Sequence, residues 1–377
     1  MQPPTADLES ASMLLVHDWL NQDGGAEVVL DVLCDLFPRA PVFTTILDPR
    51  RVPRFASRDI RPSWLDHLPG IHGHHQLFLP LYPLDWGSRR LPDADLVLSN
   101  KSGFCHGVRT GRAVHVCYCL TPTRFVWEPE AYLEHERVPA GARLALKAIL
   151  PWLRRWDLRA SQGVDRFVAI SSLVRERISR TYGRESTVIF PPTDLRRFRP
   201  GPIAPGDHYL VLARLAPYKR IDLAIEAFNQ LGRRLIVVGD GRDRQRLESL
   251  AGPTITFCGR LPQPEVDRLL YTCRALIWPG VEDFGLAPIE AMAAGRPVIA
   301  RRAGGVLDTL LEGETGVFFD SAEPGSLAQA VLETDAIDWQ PERIRRHAEG
   351  FGLEPFAASL RALLAEALGA GRRKGTA

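Results

Sequence analysis

Residues 278–305, WPGVEDFGLAPIEAMAAGRPVIARRAGG, constrain the fold more than any other stretch of this chain. An apolar run from Ala275 to Trp278 stops at Pro279-Gly280. The residues from Leu286 to Ala294 are then apolar or small, with Pro288 placed where a first helical turn tolerates it. Pro297 to Ala300 reads as the next buried strand, and Gly304-Gly305 as the turn after it. Strand, loop, helix and strand in this order predict an α/β unit. Glu282 falls in the loop and Glu290 about one turn inside the helix, so both can face one ligand at the C-terminal edge of the sheet.

A helix start leaves backbone N–H groups without intrahelical partners, here around Phe284, Gly285 and Leu286, and these suit an anionic phosphate. Carboxylates beside such a site suit hydroxyl donors instead. A ligand with a phosphate and several hydroxyls, such as a nucleotide-sugar, satisfies both demands. The spacing alone is equally compatible with a glycine-punctuated surface loop carrying solvated acids. The whole run EDFGLAPIEAMAAGRPVI, however, resembles the donor-binding signature of retaining GT-B glycosyltransferases of the E-x7-E family. The resemblance implies two Rossmann-like α/β domains facing across a cleft, with Glu282 on hexose hydroxyls and Glu290 on the ribose of a nucleotide-sugar donor.

Length and composition agree with a two-domain soluble protein: 377 residues, 45% hydrophobic, 24% charged, net charge +2. That balance favours neither a nucleic acid partner nor a strong membrane anchor. No apolar run is long enough to span a bilayer, and Met1 to Ser12 is polar with acids, unlike a signal peptide, so a cytoplasmic location is expected. Cysteines 34, 105, 117, 119, 258 and 273 are scattered through apolar segments, which points to reduced core thiols.

In the first half, the strand Met13 to Asp18 leads through Gly24-Gly25 into a helix over 26–36. A glycine pair there lets backbone approach a ligand, although a plain tight turn has the same sequence. By resemblance, Gly24 and Gly25 face the donor phosphate and the acceptor. Asp93-Ala94-Asp95 has the D-x-D form of metal-dependent transferases but precedes its strand, whereas ligands collect beyond strand ends. His72, His74 and His75 read as a solvated loop with no nearby carboxylate, and His115, Cys117 and Cys119 as strand packing, so no metal site is expected. The region around Tyr118 to Trp127 is similar to the O-antigen mannosyltransferase-like subgroup. Leu120 stands where that subgroup has histidine, so no catalytic histidine is assigned, and Arg124 is either a phosphate or acceptor contact or a structural ion pair. ARLALKAILPWLRRWDLRA, residues 142–160, is amphipathic. It suits either a core helix with a basic outer face or a peripheral contact with an anionic bilayer.

FRPGPIAPGD, residues 198–207, reads as the linker to a second strand–helix series. The expected boundaries are 1–197 with a C-terminal helix, 353–377, packing back on it, and 198–352 for the donor domain. Arg214 and Lys219 follow the strand Tyr209 to Ala213 and can neutralise a departing diphosphate. They resemble the family's diphosphate-clamping pair, although Arg220 stands where many relatives have glycine. Gly239-Asp240-Gly241 lacks the third glycine of a dinucleotide fingerprint. Arg260 and Leu261 resemble the segment whose backbone reads the nucleobase, and Asp308 replaces the usual glutamate. The resemblance thus implies metal-independent, retaining transfer of a hexose to a glycan or polyprenol-linked acceptor. GDP-mannose is the favoured donor, no cofactor is needed, and the site comprises Arg214, Lys219 and Glu282. A nucleotide-sugar 2-epimerase and a non-catalytic nucleotide-sugar sensor are the alternatives.

Overall fold

The computed structural model describes residues 8–129, 140–198 and 204–375. The chain divides into two compact units, Met1–Pro191 with Phe356–Ala377, and Pro192–Pro355.

The first unit is built on a parallel sheet of β1 (Met13–His17), β2 (Val42–Phe43), β3 (Ile60–Arg61), β4 (Leu96–Lys101), β5 (Val114–Cys119), β6 (Arg166–Ala169) and β7 (Ser186–Val188). Their order is β3-β2-β1-β4-β5-β6-β7. The central strands are buried along nearly their whole length, as expected where helices cover both faces of a parallel sheet. Trp19, Tyr82, Trp86, Phe104 and Leu153 fill one layer of the core. The last helix, Leu353–Gly375, sets Phe356 edge-on against Tyr118 at 5.8 Å.

Strand order reverses between β1 and β4, the place where an α/β sheet opens a crevice. There the carboxylate of Asp18 accepts four backbone N–H bonds, from Ser102 (2.7 Å), Gly103 (2.6 Å), Phe104 (2.6 Å) and Cys105 (2.7 Å). This crevice is braced by the chain's own anion.

The second unit is also a parallel sheet: β8 (His208–Leu212), β9 (Arg234–Val238), β10 (Ile255–Gly259), β11 (Leu276–Trp278), β12 (Val298–Arg301) and β13 (Gly316–Phe319). Their order is β10-β9-β8-β11-β12-β13, so the chain winds outward from β8 in one direction and from β11 in the other. Helix Ile221–Leu231 packs Phe228 against Tyr209 of β8 at 5.1 Å, and Leu327 and Val331 belong to the same core.

Of the proline- and glycine-rich stretch expected as the linker, the described residues Phe198 and 204–207 fall on the second unit's side of the division. Phe198 is buried against Tyr271, with ring centroids 5.7 Å apart, and Arg197 pairs with Asp267 and Glu290. The division between the units falls at Pro191 and Pro192. Residues 199–203 of that stretch lie outside the described residues.

Candidate active site

β8 and β11 are neighbours at the reversal of the second sheet, and the segments that leave their C-terminal ends carry most of the expected site. After β8 the chain forms a short 3-10 turn, Pro217–Lys219. Arg214 donates to the Tyr218 hydroxyl at 3.2 Å, and the Lys219 ammonium lies over the rings of Tyr218 (5.4 Å) and Trp278 (5.0 Å). These rings give the cation an electron-rich, partly desolvated seat.

From the β11 side, Glu282 forms an ion pair with Lys219, and the two side chains are 19% and 11% exposed. Close backbone approaches hold the pair: a Cβ on Gly280 would lie 2.8 Å from Lys219 Cα, and one on Gly305 would lie 2.2 Å from the Asp283 carbonyl oxygen. Gly305 N–H also donates to the Glu282 carbonyl at 2.8 Å. Only glycine lets these three segments meet so tightly.

Gly285, with φ 99°, turns the chain into the helix Leu286–Ala293, whose first N–H groups point toward the same edge. The Phe284 side chain is buried 6.2 Å from Phe351, leaving its backbone as the part suited to a ligand. Glu290 lies inside the helix and pairs with Arg197, which also reaches Asp267 at 3.3 Å. Burial raises the carboxyl pKa of Glu290, and the Arg197 guanidinium opposes that rise. No sequence signal marked Arg197, because its partners come from helices far along the chain. Arg260 and Leu261 follow β10, the edge strand, which β9 separates from β8.

Gly24 and Gly25 belong to the first unit and begin the helix Gly25–Leu36. Behind them Glu27 is buried at 1%, with its carboxylate against Gly24 and 3.7 Å from His17 Nε2. Lys101, one of only four lysines in the sequence, is fully buried at the end of β4. It donates to the Thr121 carbonyl and Thr123 hydroxyl, both at 3.1 Å, just before the helical turn Arg124–Trp127. Sequence reasoning missed both residues. A lysine after an apolar strand reads as solvent-facing unless its partners are known.

The histidine loop is corrected by the structure. His72 and His74 lie on a helical turn, Ile71–His74, and His72 Nε2 is 2.8 Å from the Asp66 carboxylate, so a carboxylate is close. His75 pairs with Asn21 at 2.9 Å, and burial holds its pKa at about 4. Asp66 comes from the preceding turn, six residues before His72. Asp95 of the D-x-D stretch accepts from the Ser12 N–H (2.9 Å) and hydroxyl (2.8 Å). His115 pairs with Ser99 at 2.9 Å inside the sheet, where burial lowers its pKa to about 4. In the basic helix, Ala140–Gln162, Trp156 packs on Phe104 at 5.6 Å while Trp152 stays 41% exposed. Among the described residues no helix is long and apolar enough to cross a membrane.

Residues 197–350 match the family described as glycosyl transferases group 1, and that span contains Arg214, Lys219, Glu282 and Glu290. The matched span lies within the second unit. A GDP-mannose-dependent alpha-(1-6)-phosphatidylinositol monomannoside mannosyltransferase of Mycobacterium tuberculosis is 30% identical over 217 residues, 49% of this chain and 56% of that protein. D-inositol 3-phosphate glycosyltransferase of Nocardia farcinica is 30% identical over 245 residues, 52% of this chain and 53% of that protein. The chain therefore spans about half the length of these curated relatives. Among solved structures, Anabaena HepE in complex with UDP superposes with a TM-score of 0.70 at 18% identity, covering 94% of this chain and 100% of that one. Sucrose-phosphate synthase of Thermosynechococcus elongatus gives 0.69 at 19% identity, covering 95% and 100%. These likenesses establish the fold: two parallel-sheet, Rossmann-like domains of the GT-B class, as the resemblance implied.

Proposed function

We propose that the protein is a retaining, metal-independent hexosyltransferase that moves mannose from GDP-mannose to a hydroxyl of a glycan or polyprenol-linked glycan. Its setting is cell-surface polysaccharide synthesis at the cytoplasmic face of the membrane. The observation that carries the reading is the Lys219–Glu282 pair beside Arg214, at the reversal of a sheet whose residues match the group 1 family. The name of the Mycobacterium tuberculosis relative favours GDP-mannose, whereas the HepE structure holds UDP, so the base is tested directly.

The reading assigns each group one task. A diphosphate exchanges for Glu282 as the partner of Lys219, and Arg214 takes further negative charge as the bond to the sugar breaks. Glu282, released from the pair, accepts hydroxyls of the hexose. The acceptor oxygen bonds to the anomeric carbon on the face the diphosphate leaves, and its proton passes to a departing phosphate oxygen. The protein contributes position and charge rather than a covalent nucleophile. Glu290 accepts from the ribose, and the backbone at Arg260-Leu261 meets the base.

The test is transfer from GDP-mannose, UDP-glucose and ADP-glucose to a polyprenol-linked glycan, with the anomeric configuration of the product read by NMR. Acceptor-dependent release of GDP with retained configuration is expected. Conversion of the free nucleotide-sugar to its 2-epimer would instead favour an epimerase, and binding without turnover a sensor.

A further inference from the structure

Arg197 belongs to a segment with no regular secondary structure, yet its guanidinium is held from three sides. Nη1 lies 3.3 Å from Asp267 on the helix Gln263–Thr272, Nη2 pairs with Glu290 Oε1, and the group lies over the Phe198 ring at 4.7 Å. Phe198 is in turn wedged against Tyr271, one helical turn beyond Asp267. The side chains of Arg197, Glu290 and Asp267 are 21%, 21% and 17% exposed, so each keeps an open edge.

We propose that Arg197 is a positioning residue for nucleotide binding: it holds Glu290 ionised and turned so that Oε2, outside the ion pair, accepts a ribose hydroxyl. The inference rests on the ribose reading of Glu290 given above. Charge supports it. Two carboxylates facing one guanidinium leave one negative charge uncompensated, which repels phosphate and favours hydroxyl donors. Geometry supports it as well, because the guanidinium spans two carboxylates, Nη1 on Asp267 and Nη2 on Glu290, and so fixes which Glu290 oxygen is engaged. The carboxyl of Glu290 is already pushed upward by burial, and removing Arg197 removes what opposes that push. Other charged groups near this helix are engaged elsewhere. On the packed helix Pro341–Glu349, Arg345 pairs with Glu342 and His347 bonds the Thr309 carbonyl; Arg296 donates to the Tyr271 carbonyl.

The sign of the pH effect follows. A carboxylate must be ionised to accept from the ribose, so raising its pKa loses affinity first at low pH. Calorimetric titration with GDP, or with UDP if the wild type binds it tighter, between about pH 5 and 8.5 tests this on Arg197→Gln, Arg197→Lys and Glu290→Gln. Arg197→Gln should weaken binding about tenfold at pH 7, the loss growing as pH falls. Arg197→Lys, which keeps the charge, should recover most of the affinity and the flatter pH profile. Glu290→Gln should weaken binding and remove the pH dependence. Unchanged or tighter binding by Arg197→Gln would overturn the proposal, as would a loss that is independent of pH and not recovered by lysine. If Glu290→Gln binds GDP like the wild type, the ribose reading itself fails; if only Arg197→Gln does, the positioning role alone fails.

Discussion

Glu282 and Glu290 stand in one motif, but the structure gives them different partners, Lys219 and Arg197, and therefore different consequences when removed. Glu290→Ala should weaken free GDP by about 1 to 3 kcal/mol, the range for a lost hydrogen bond to a charged group. Glu282→Ala should leave free GDP binding unweakened, or tighten it because the carboxylate no longer competes for Lys219, while turnover of the nucleotide-sugar collapses. Calorimetry and initial rates on both variants check this, and equal losses of GDP affinity would mean that the two acids share one role. Lys219→Ala and Arg214→Ala should each lower kcat/KM by about a hundredfold or more, on the order of 3 kcal/mol of transition-state stabilisation. Near-normal rates in both would remove the diphosphate clamp. Arg214, Lys219 and Glu282 were legible in the sequence because each follows a strand shortly after its end, and Glu290 because a helical pattern starts after the same strand. Arg197 was not, since a partner brought in by tertiary folding leaves no local spacing to read; Asp66, six residues before His72, was near enough in the sequence to be read and was overlooked.

At the scale of the element, the turn between β8 and its helix carries a backbone cost. Arg220 has φ 51°, and among the described residues it is the one non-glycine with positive φ. A left-handed conformation costs an L-residue roughly 1–2 kcal/mol, and glycine escapes it at some entropic expense. Arg220→Gly should therefore stabilise the second unit by about 0.5–1 kcal/mol, seen as a rise in its thermal midpoint with GDP affinity retained. A lower midpoint would show that the Arg220–Asp222 contact, at 3.3 Å, outweighs the backbone term. Gly280→Ala acts in the opposite direction. Its new methyl would meet Lys219 backbone at 2.8 Å, so about 1–3 kcal/mol of stability should be lost together with turnover. The glycine at 280 was visible as a strand stop, but its contact with a segment sixty residues earlier was not. Likewise the strands and helices followed from apolar periodicity, whereas the burial of Phe198 within a sequence of breakers was not legible, because its partner Tyr271 lies far along the chain.

At the scale of the whole molecule, each unit has its own parallel sheet and its own core. A ligand that binds only the second unit should stabilise that unit. GDP at a hundred times its Kd should add about 2.7 kcal/mol to the second unit's unfolding free energy, and calorimetric scanning with and without GDP reads which transition moves. Movement of the first unit's transition alone would place the nucleotide elsewhere. The alternation of strands and helices made this two-sheet architecture legible from the sequence. The reversal of strand order between β8 and β11, which brings Lys219 to Glu282, appears only when the strands are placed. In the proposed reaction the hexose leaves its nucleotide at this reversal. The most direct measurement is the initial rate of mannose transfer from GDP-mannose to a polyprenol-linked glycan, in the presence of EDTA, by the wild type and by Lys219→Ala. The account predicts acceptor-dependent transfer by the wild type, within about twofold of its rate without EDTA, and at least about a hundredfold less by the variant. Equal rates for the two proteins, or activity that EDTA abolishes and Mn²⁺ restores, would contradict it.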